Sequence, residues 1–130
     1  MDMYKGENLF KSKYGEWNIE YLYHNEMYVT FGIHVKSYGF SGSHSFSIMK
    51  STIKHNIEEL TVMNESLSGV CKLLDTDSDS HIKLEFKDDD LSIAGQIGGS
   101  YNENFMQFEF VADQTVIGLL RDALRGFLME

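Results

Sequence analysis

The chain has 130 residues, 42% of them apolar and 13% aromatic, which suits one globular domain. Its formal net charge of −9 argues against general affinity for nucleic-acid phosphates. Residues 1–11 contain no apolar signal-peptide core, and no segment has the roughly 18 apolar residues of a membrane helix. The single cysteine, Cys71, cannot form an internal disulfide, so we expect a cytoplasmic protein with no membrane partner.

Alternating apolar residues predict three strands in the first half of the chain. The alternation covers 17–23, 29–35 and 46–48, and a period of two with one apolar face is typical of half-buried antiparallel strands. The period then becomes helical after Ser51, which we predict to be the N-cap of a helix that ends between residues 64 and 68.

The second half follows the same plan. Strands are predicted over 82–86, 91–97 and 106–110, with a glycine-rich turn at 98–102 and a helix capped by Asp113. The linker between the halves holds Cys71 and two leucines, which would form at most one short extra strand.

The two halves align as a pseudo-repeat of 17–66 and 80–128 within a single domain, 1–130. The predicted fold class is α+β. It has one antiparallel sheet of about six strands, built from two strand-strand-strand-helix units, with the helices packed on one face.

Acidic residues concentrate between residues 75 and 90. The run DTDSDS at 75–80 begins like an EF-hand loop, but Ser80 stands where the loop needs glycine and Phe86 where it needs a bidentate glutamate. We therefore expect a connecting loop and no metal ion. The aspartates of the two acidic turns are the candidate partner-binding residues: Asp75, Asp77, Asp79, Asp88, Asp89 and Asp90.

No catalytic or cofactor-binding motif is visible. The five histidines show no HxH or HExxH spacing, and the serines at 41–45 lack the GxSxG context of a nucleophile. The glycines at 95–99 have neither a Walker lysine nor a following helix. The sequence thus predicts a protein that is not an enzyme, has no catalytic residues and uses no cofactor. The aromatic side chains are interpreted as core, with too few basic neighbours for a nucleic-acid platform.

Three stretches resemble a family of small bacterial proteins that includes WapI-type immunity proteins. They are FSGSHSFSIMKSTIKHNIEEL at 40–60, LSIAGQIGGSYNENFMQFEFVADQT at 91–115 and LLRDALRGFL at 119–128. The chain departs from that pattern by lacking a tryptophan-rich strand before the first helix and an Asp-Pro at the cap of that helix, and it contains no proline. The resemblance implies a cytoplasmic protein that binds and blocks a cognate toxin domain, such as a basic nuclease.

The function predicted at this stage is therefore a non-catalytic immunity protein that neutralises a cognate toxin and does not itself bind nucleic acid. The cluster of acidic residues between 75 and 90 would attract a basic partner electrostatically. Two alternatives stay open: a small-molecule binder or enzyme with a cleft near the 38–44 loop, around Tyr38 and His44, and a self-associating structural module. The oligomeric state is left open.

Overall fold

Two antiparallel sheets, each followed by a helix, make up the part of the chain that the structure describes. The computed structural model describes residues 6–99 and 104–130. The first sheet, in spatial order β1-β2-β3-β4, and its helix are β1 (Glu7–Lys11), β2 (Gly15–His24), β3 (Tyr28–Ser37), β4 (Phe40–Met49) and α1 (Lys50–Ser66). The second, in order β5-β6-β7-β8, and its helix are β5 (Val70–Leu74), β6 (His81–Lys87), β7 (Asp90–Gly98), β8 (Phe105–Ala112) and α2 (Thr115–Leu128).

The predicted fold class, a single sheet of about six strands, is wrong: the strands form two separate four-stranded sheets. The first strand of the first sheet was missed, and the first strand of the second sheet was expected only as an optional short strand. β1 has five residues, one fully buried position at Leu9 and a register shift between Asn8 and Phe10, so it shows no clean alternation. β5 buries only Cys71 and Leu73, too short a pattern to identify a full sheet member.

The predicted N-cap is wrong for α1, whereas at α2 the predicted residue does accept a hydrogen bond from the start of the helix. α1 begins at Lys50 directly from β4, so Ser51 is not the N-cap. The Lys50 N–H donates to the Met27 carbonyl at 2.7 Å, and no side chain caps the helix. At α2, Asp113 precedes the N-cap residue Gln114, and its carboxylate accepts the Thr115 N–H at 2.9 Å.

One hydrophobic core lies between the two sheets and the helices. Phe10 of β1 stacks on Phe110 of β8 with ring centroids 5.5 Å apart. Phe127 of α2 lies against Phe31 of β3 at the same centroid distance. At Gly42 the sheets approach so closely that a Cβ would lie 3.1 Å from Cγ2 of Ile97, so a larger residue there would have to displace the Ile97 side chain.

The predicted glycine turn at 98–102 lies partly outside the described residues. Gly98 and Gly99, which are described, have positive φ angles of 84° and 94°. In the described part of the chain, neither helix combines the length and apolar character needed to cross a membrane.

Candidate functional site

Two turns bring lysines and exposed aromatic rings together at one end of the first sheet. In the sheet register, Lys11 of β1 faces Glu16 of β2, and Glu16 faces Lys36 of β3. The β1–β2 and β3–β4 turns are joined at this end by a 3.0 Å hydrogen bond from the Tyr38 N–H to the Tyr14 carbonyl. We call this region the lysine–aromatic end; its members are Lys11, Lys13, Tyr14, Lys36, Tyr38 and Phe40.

The three aromatic side chains of this end face solvent. Tyr14 is 51% exposed, Tyr38 64% and Phe40 74%. The Tyr14 and Tyr38 rings lie 5.8 Å apart at an interplanar angle of 49°, and the Lys13 ammonium sits 4.9 Å from the centre of the Tyr14 ring. Exposed rings held side by side are unusual on a solvent surface and mark a place where another flat molecule can stack.

The charge of this end is opposite to that of the whole chain. Residues 11–16 and 36–41 contain three lysines and one glutamate, a local charge of +2 against −9 overall. Among the ion pairs within 4.0 Å that the described residues form, none uses Lys11, Lys13 or Lys36. These ammonium groups are thus available to an anionic ligand.

A groove of about 250 Å³ lies next to this end, on the outer face of the first sheet. Its base is Gly32 of β3, which lies in register between Glu20 of β2 and Ser45 of β4. Leu22, at a β-bulge between Tyr21 and Tyr23, forms part of the wall. We call it the outer groove; its lining includes Asn18, Glu20, Leu22, His34, Ser43 and Ser45, together with His44 and apolar residues of β2 and β3.

The outer groove contains a serine–histidine contact that sequence spacing did not predict. Ser43 Oγ lies 2.7 Å from Nδ1 of His34, its register partner across β3 and β4. Burial lowers the pKa of His34, opposed by the charge of Glu16 and aided by that of Lys36. The imidazole is therefore neutral near pH 7 and adds no positive charge to the groove.

Of the two residues expected to border a cleft, Tyr38 and His44, the structure places only His44 at the outer groove. His44 borders the outer groove, whereas Tyr38 lies in the β3–β4 turn and is not among the lining residues. His44 Nδ1 contacts the neighbouring Ser45 carbonyl at 2.8 Å. Tyr38 and His44 therefore do not line one cleft.

The six candidate aspartates do not form one surface. Asp88, Asp89 and Asp90 are exposed in the β6–β7 turn, and Asp77 and Asp79 are exposed in the loop before β6. The two groups lie at opposite ends of the seven-residue strand β6, roughly 20 Å apart.

Asp75 is a structural residue and not a surface group. Its side chain is 2% exposed. Its carboxylate accepts the Ser47 N–H at 2.9 Å and the Ser78 hydroxyl, while the Thr76 N–H donates to the Ser47 carbonyl at 3.0 Å. The first aspartate of DTDSDS therefore attaches the β5–β6 loop of the second sheet to β4 of the first.

The remaining titratable side chains do not assemble a further centre. In the described residues no group of three or more His, Cys, Asp or Glu side chains is arranged to hold a metal ion. Cys71 is 1% exposed, and burial together with the nearby Glu59 raises the pKa of its thiol to about 12. A thiol that stays protonated at neutral pH is a poor nucleophile.

The lysine–aromatic end was missed although the sequence contains a signal for it. The segments KSKYG at 11–15 and KSYGF at 36–40 share the order lysine, serine, tyrosine, glycine, and both fall at turns. Sequence reasoning counted basic residues over the whole chain, where acids outnumber them. Only the sheet register shows that the two segments are neighbours.

No family model and no curated protein matches the sequence. Solved structures from plants share its fold. WHY3 from Arabidopsis thaliana has a TM-score of 0.58 at 10% identity, covering 98% of this chain and 88% of that chain. The plant transcriptional regulator PBF-2 has a TM-score of 0.59 at 11% identity, covering 99% and 84%. WHY1 from Arabidopsis thaliana has a TM-score of 0.58 at 10% identity, and the match covers 98% of this chain and 85% of that chain. At these identities the likeness establishes the fold alone.

The predicted function as an immunity protein that neutralises a toxin is wrong, because the similar structures include a plant transcriptional regulator. The predicted partners, a cognate toxin domain and no nucleic acid, are wrong on the same finding. These predictions failed because the net charge of the whole chain was taken to describe every part of its surface. A net charge of −9 describes the chain as a whole, but strand register and two turns place three lysines and a single glutamate at one end of the first sheet.

Proposed function

We propose that this protein binds single-stranded nucleic acid through the lysine–aromatic end of its first sheet and catalyses no reaction. The observation that carries the proposal is the joint presence of three exposed rings and three lysines without ion-pair partners at one end of a sheet. Proteins that bind single strands combine these two elements, because bases stack on aromatic rings while cations contact the phosphates.

A single strand suits this surface better than a duplex. The rings of Tyr14, Tyr38 and Phe40 can stack only on bases that are not already stacked and paired. The similar fold of a plant transcriptional regulator supports a role on nucleic acid. The lone cysteine of the chain supports a cytoplasmic location as part of the proposal.

Binding should be measured by fluorescence anisotropy with a labelled single strand of about 16 nucleotides, the upper end of common site sizes. Replacing Tyr14 and Phe40 by alanine should weaken binding roughly 5- to 150-fold per ring, from about 1–3 kcal/mol of stacking per base. Tyr23→Ala is the matched control, since Tyr23 is 62% exposed on β2 but lies near its opposite end.

The lysines determine how strongly binding depends on salt concentration. If up to three phosphates are neutralised, the logarithm of the association constant should fall against the logarithm of salt with a slope near −2, from about −0.7 per phosphate. Lys36→Gln should make this slope shallower, and Lys54→Gln, on α1, should not. Undetectable binding, or equal binding of the matching duplex, would refute the proposed function.

A further inference from the structure

The outer groove has the features of a site for one flat heteroaromatic ring. It lies on the same face of β3 as Lys36, with Gly32 four residues away along the strand, roughly 13 Å. Its volume of about 250 Å³ is below the roughly 300–1,000 Å³ of pockets for drug-sized ligands. One ring system fits such a space.

The open base of the groove results from the glycine at its centre. A Cβ at Gly32 would meet only Leu22 Cδ1 at 3.8 Å and the Glu20 carbonyl at 4.0 Å, both ordinary contacts. No positive φ or backbone clash therefore requires glycine at this position. What the glycine provides is the empty space between Glu20 and Ser45.

The charge of the groove excludes the phosphate part of a nucleotide. Glu20 is among the lining residues, and none of the described lining residues is lysine or arginine. Any nucleotide that enters must therefore point its base toward Glu20 and keep its phosphates outside. The nearby lysine–aromatic end supplies the cations that those phosphates would need.

The hydrogen-bonding groups of the groove favour some bases over others. A carboxylate such as that of Glu20 accepts from the exocyclic amino group of a base, as acidic side chains do with cytosine N4. Thymine and uracil carry no amino group, and their one ring donor, N3–H, lies between two carbonyl oxygens that the carboxylate repels. The amide of Asn18 can donate and accept, and Ser43, held against His34, stiffens the wall.

We infer that the outer groove takes one amino-bearing base of a bound single strand, so that the protein prefers cytosine, adenine or guanine over thymine or uracil at one position. This inference rests on the proposed function and adds base selectivity to it. Glu20 and Asn18 read the edge of the base, and Gly32 leaves room for the ring.

The test compares the affinities of single strands that differ in composition. Oligo(dC) and oligo(dA) should bind roughly fivefold or more tightly than oligo(dT), the lower end of the discrimination expected from one well-made base contact. Gly32→Leu fills the groove and should abolish that difference by lowering the affinities for oligo(dC) and oligo(dA) to that for oligo(dT). Ala94→Leu, at a half-buried position in the second sheet, is the matched control and should preserve the preference.

Different failures have different meanings. If no oligonucleotide binds, the proposed function fails and this inference falls with it. If oligonucleotides bind but oligo(dT) equals oligo(dC) and oligo(dA), or the preference survives Gly32→Leu, the inference alone is overturned. Free cytidine that binds as tightly as the strand would overturn the assignment to a base within a strand. The same preference in RNA, for oligo(C) over oligo(U), would support it.

Discussion

At the scale of single residues, burial changes the acidity of the Cys71 thiol. Its thiol contacts the Asn56 amide at 3.6 Å and a Glu59 carboxylate oxygen at 3.8 Å. Burial and the negative charge of Glu59 both favour the neutral thiol, so the pKa rises from 9.0 to about 12. The sequence alone shows only one cysteine without a partner.

We expect Cys71 to resist alkylation by iodoacetamide at pH 8 in the folded protein and to react once the protein is unfolded. Between pH 9.0 and about 12 the unfolded thiol loses its proton while the folded one keeps it, so the free energy of unfolding falls as pH rises. Urea titrations across this range, with Cys71→Ala as the control, measure the effect. A wild type no more pH-sensitive than Cys71→Ala would contradict the expectation.

At the scale of elements, alternation and helical spacing predicted six of the eight strands and both helices, because each has a regular apolar face. β1 and β5 were not predicted as full sheet members. β1 is only five residues long and is bulged, so its sequence does not separate it from a loop. Their pairing is decided by neighbouring strands that supply hydrogen bonds to otherwise unpaired backbone groups.

The end of α1 carries local strain that can be tested. Leu67 is the C-cap residue in left-handed geometry, with φ 54° and ψ 38°, and its N–H donates to the Met63 carbonyl at 2.9 Å. Left-handed geometry costs a non-glycine residue about 1–2 kcal/mol.

Leu67→Gly should therefore raise the free energy of unfolding by about 1 kcal/mol, less whatever the half-exposed leucine contributes by packing. Leu119→Gly, a similarly exposed leucine inside α2, should lower it by about 1 kcal/mol. Urea unfolding followed by fluorescence of Trp17 gives both values. A loss of stability in both variants would mean that the packing of Leu67 outweighs the strain.

At the scale of the whole molecule, the attachment of the two sheets depends in part on Asp75. Its buried carboxylate holds the Ser47 N–H of β4 and the Ser78 hydroxyl of the loop that leads into β6. His44 lies 3.9 Å from the same carboxylate. The loop at 75–80, interpreted from the sequence as a linker, thus also joins the second sheet to β4 of the first by hydrogen bonds.

Asp75→Ala should lower the free energy of unfolding by roughly 1–3 kcal/mol for each buried donor left without an acceptor. Asp77→Ala, in the same loop but exposed, should change it by no more than about 0.5 kcal/mol. Urea unfolding of both variants measures the difference. Equal stability of the two would show that Asp75 does not join the sheets.

The sequence by itself determined the elements with strong periodicity, the departure of residues 75–86 from the EF-hand pattern and the concentration of acid in two segments. Those properties are local, since they depend on the order of neighbouring residues. The division into two sheets, the burial of Asp75, the outer groove and the lysine–aromatic end were decided by tertiary structure. Each joins residues that are far apart in the chain, as Lys11 and Lys36 are, and such neighbours are set by strand register, which no single stretch of sequence contains.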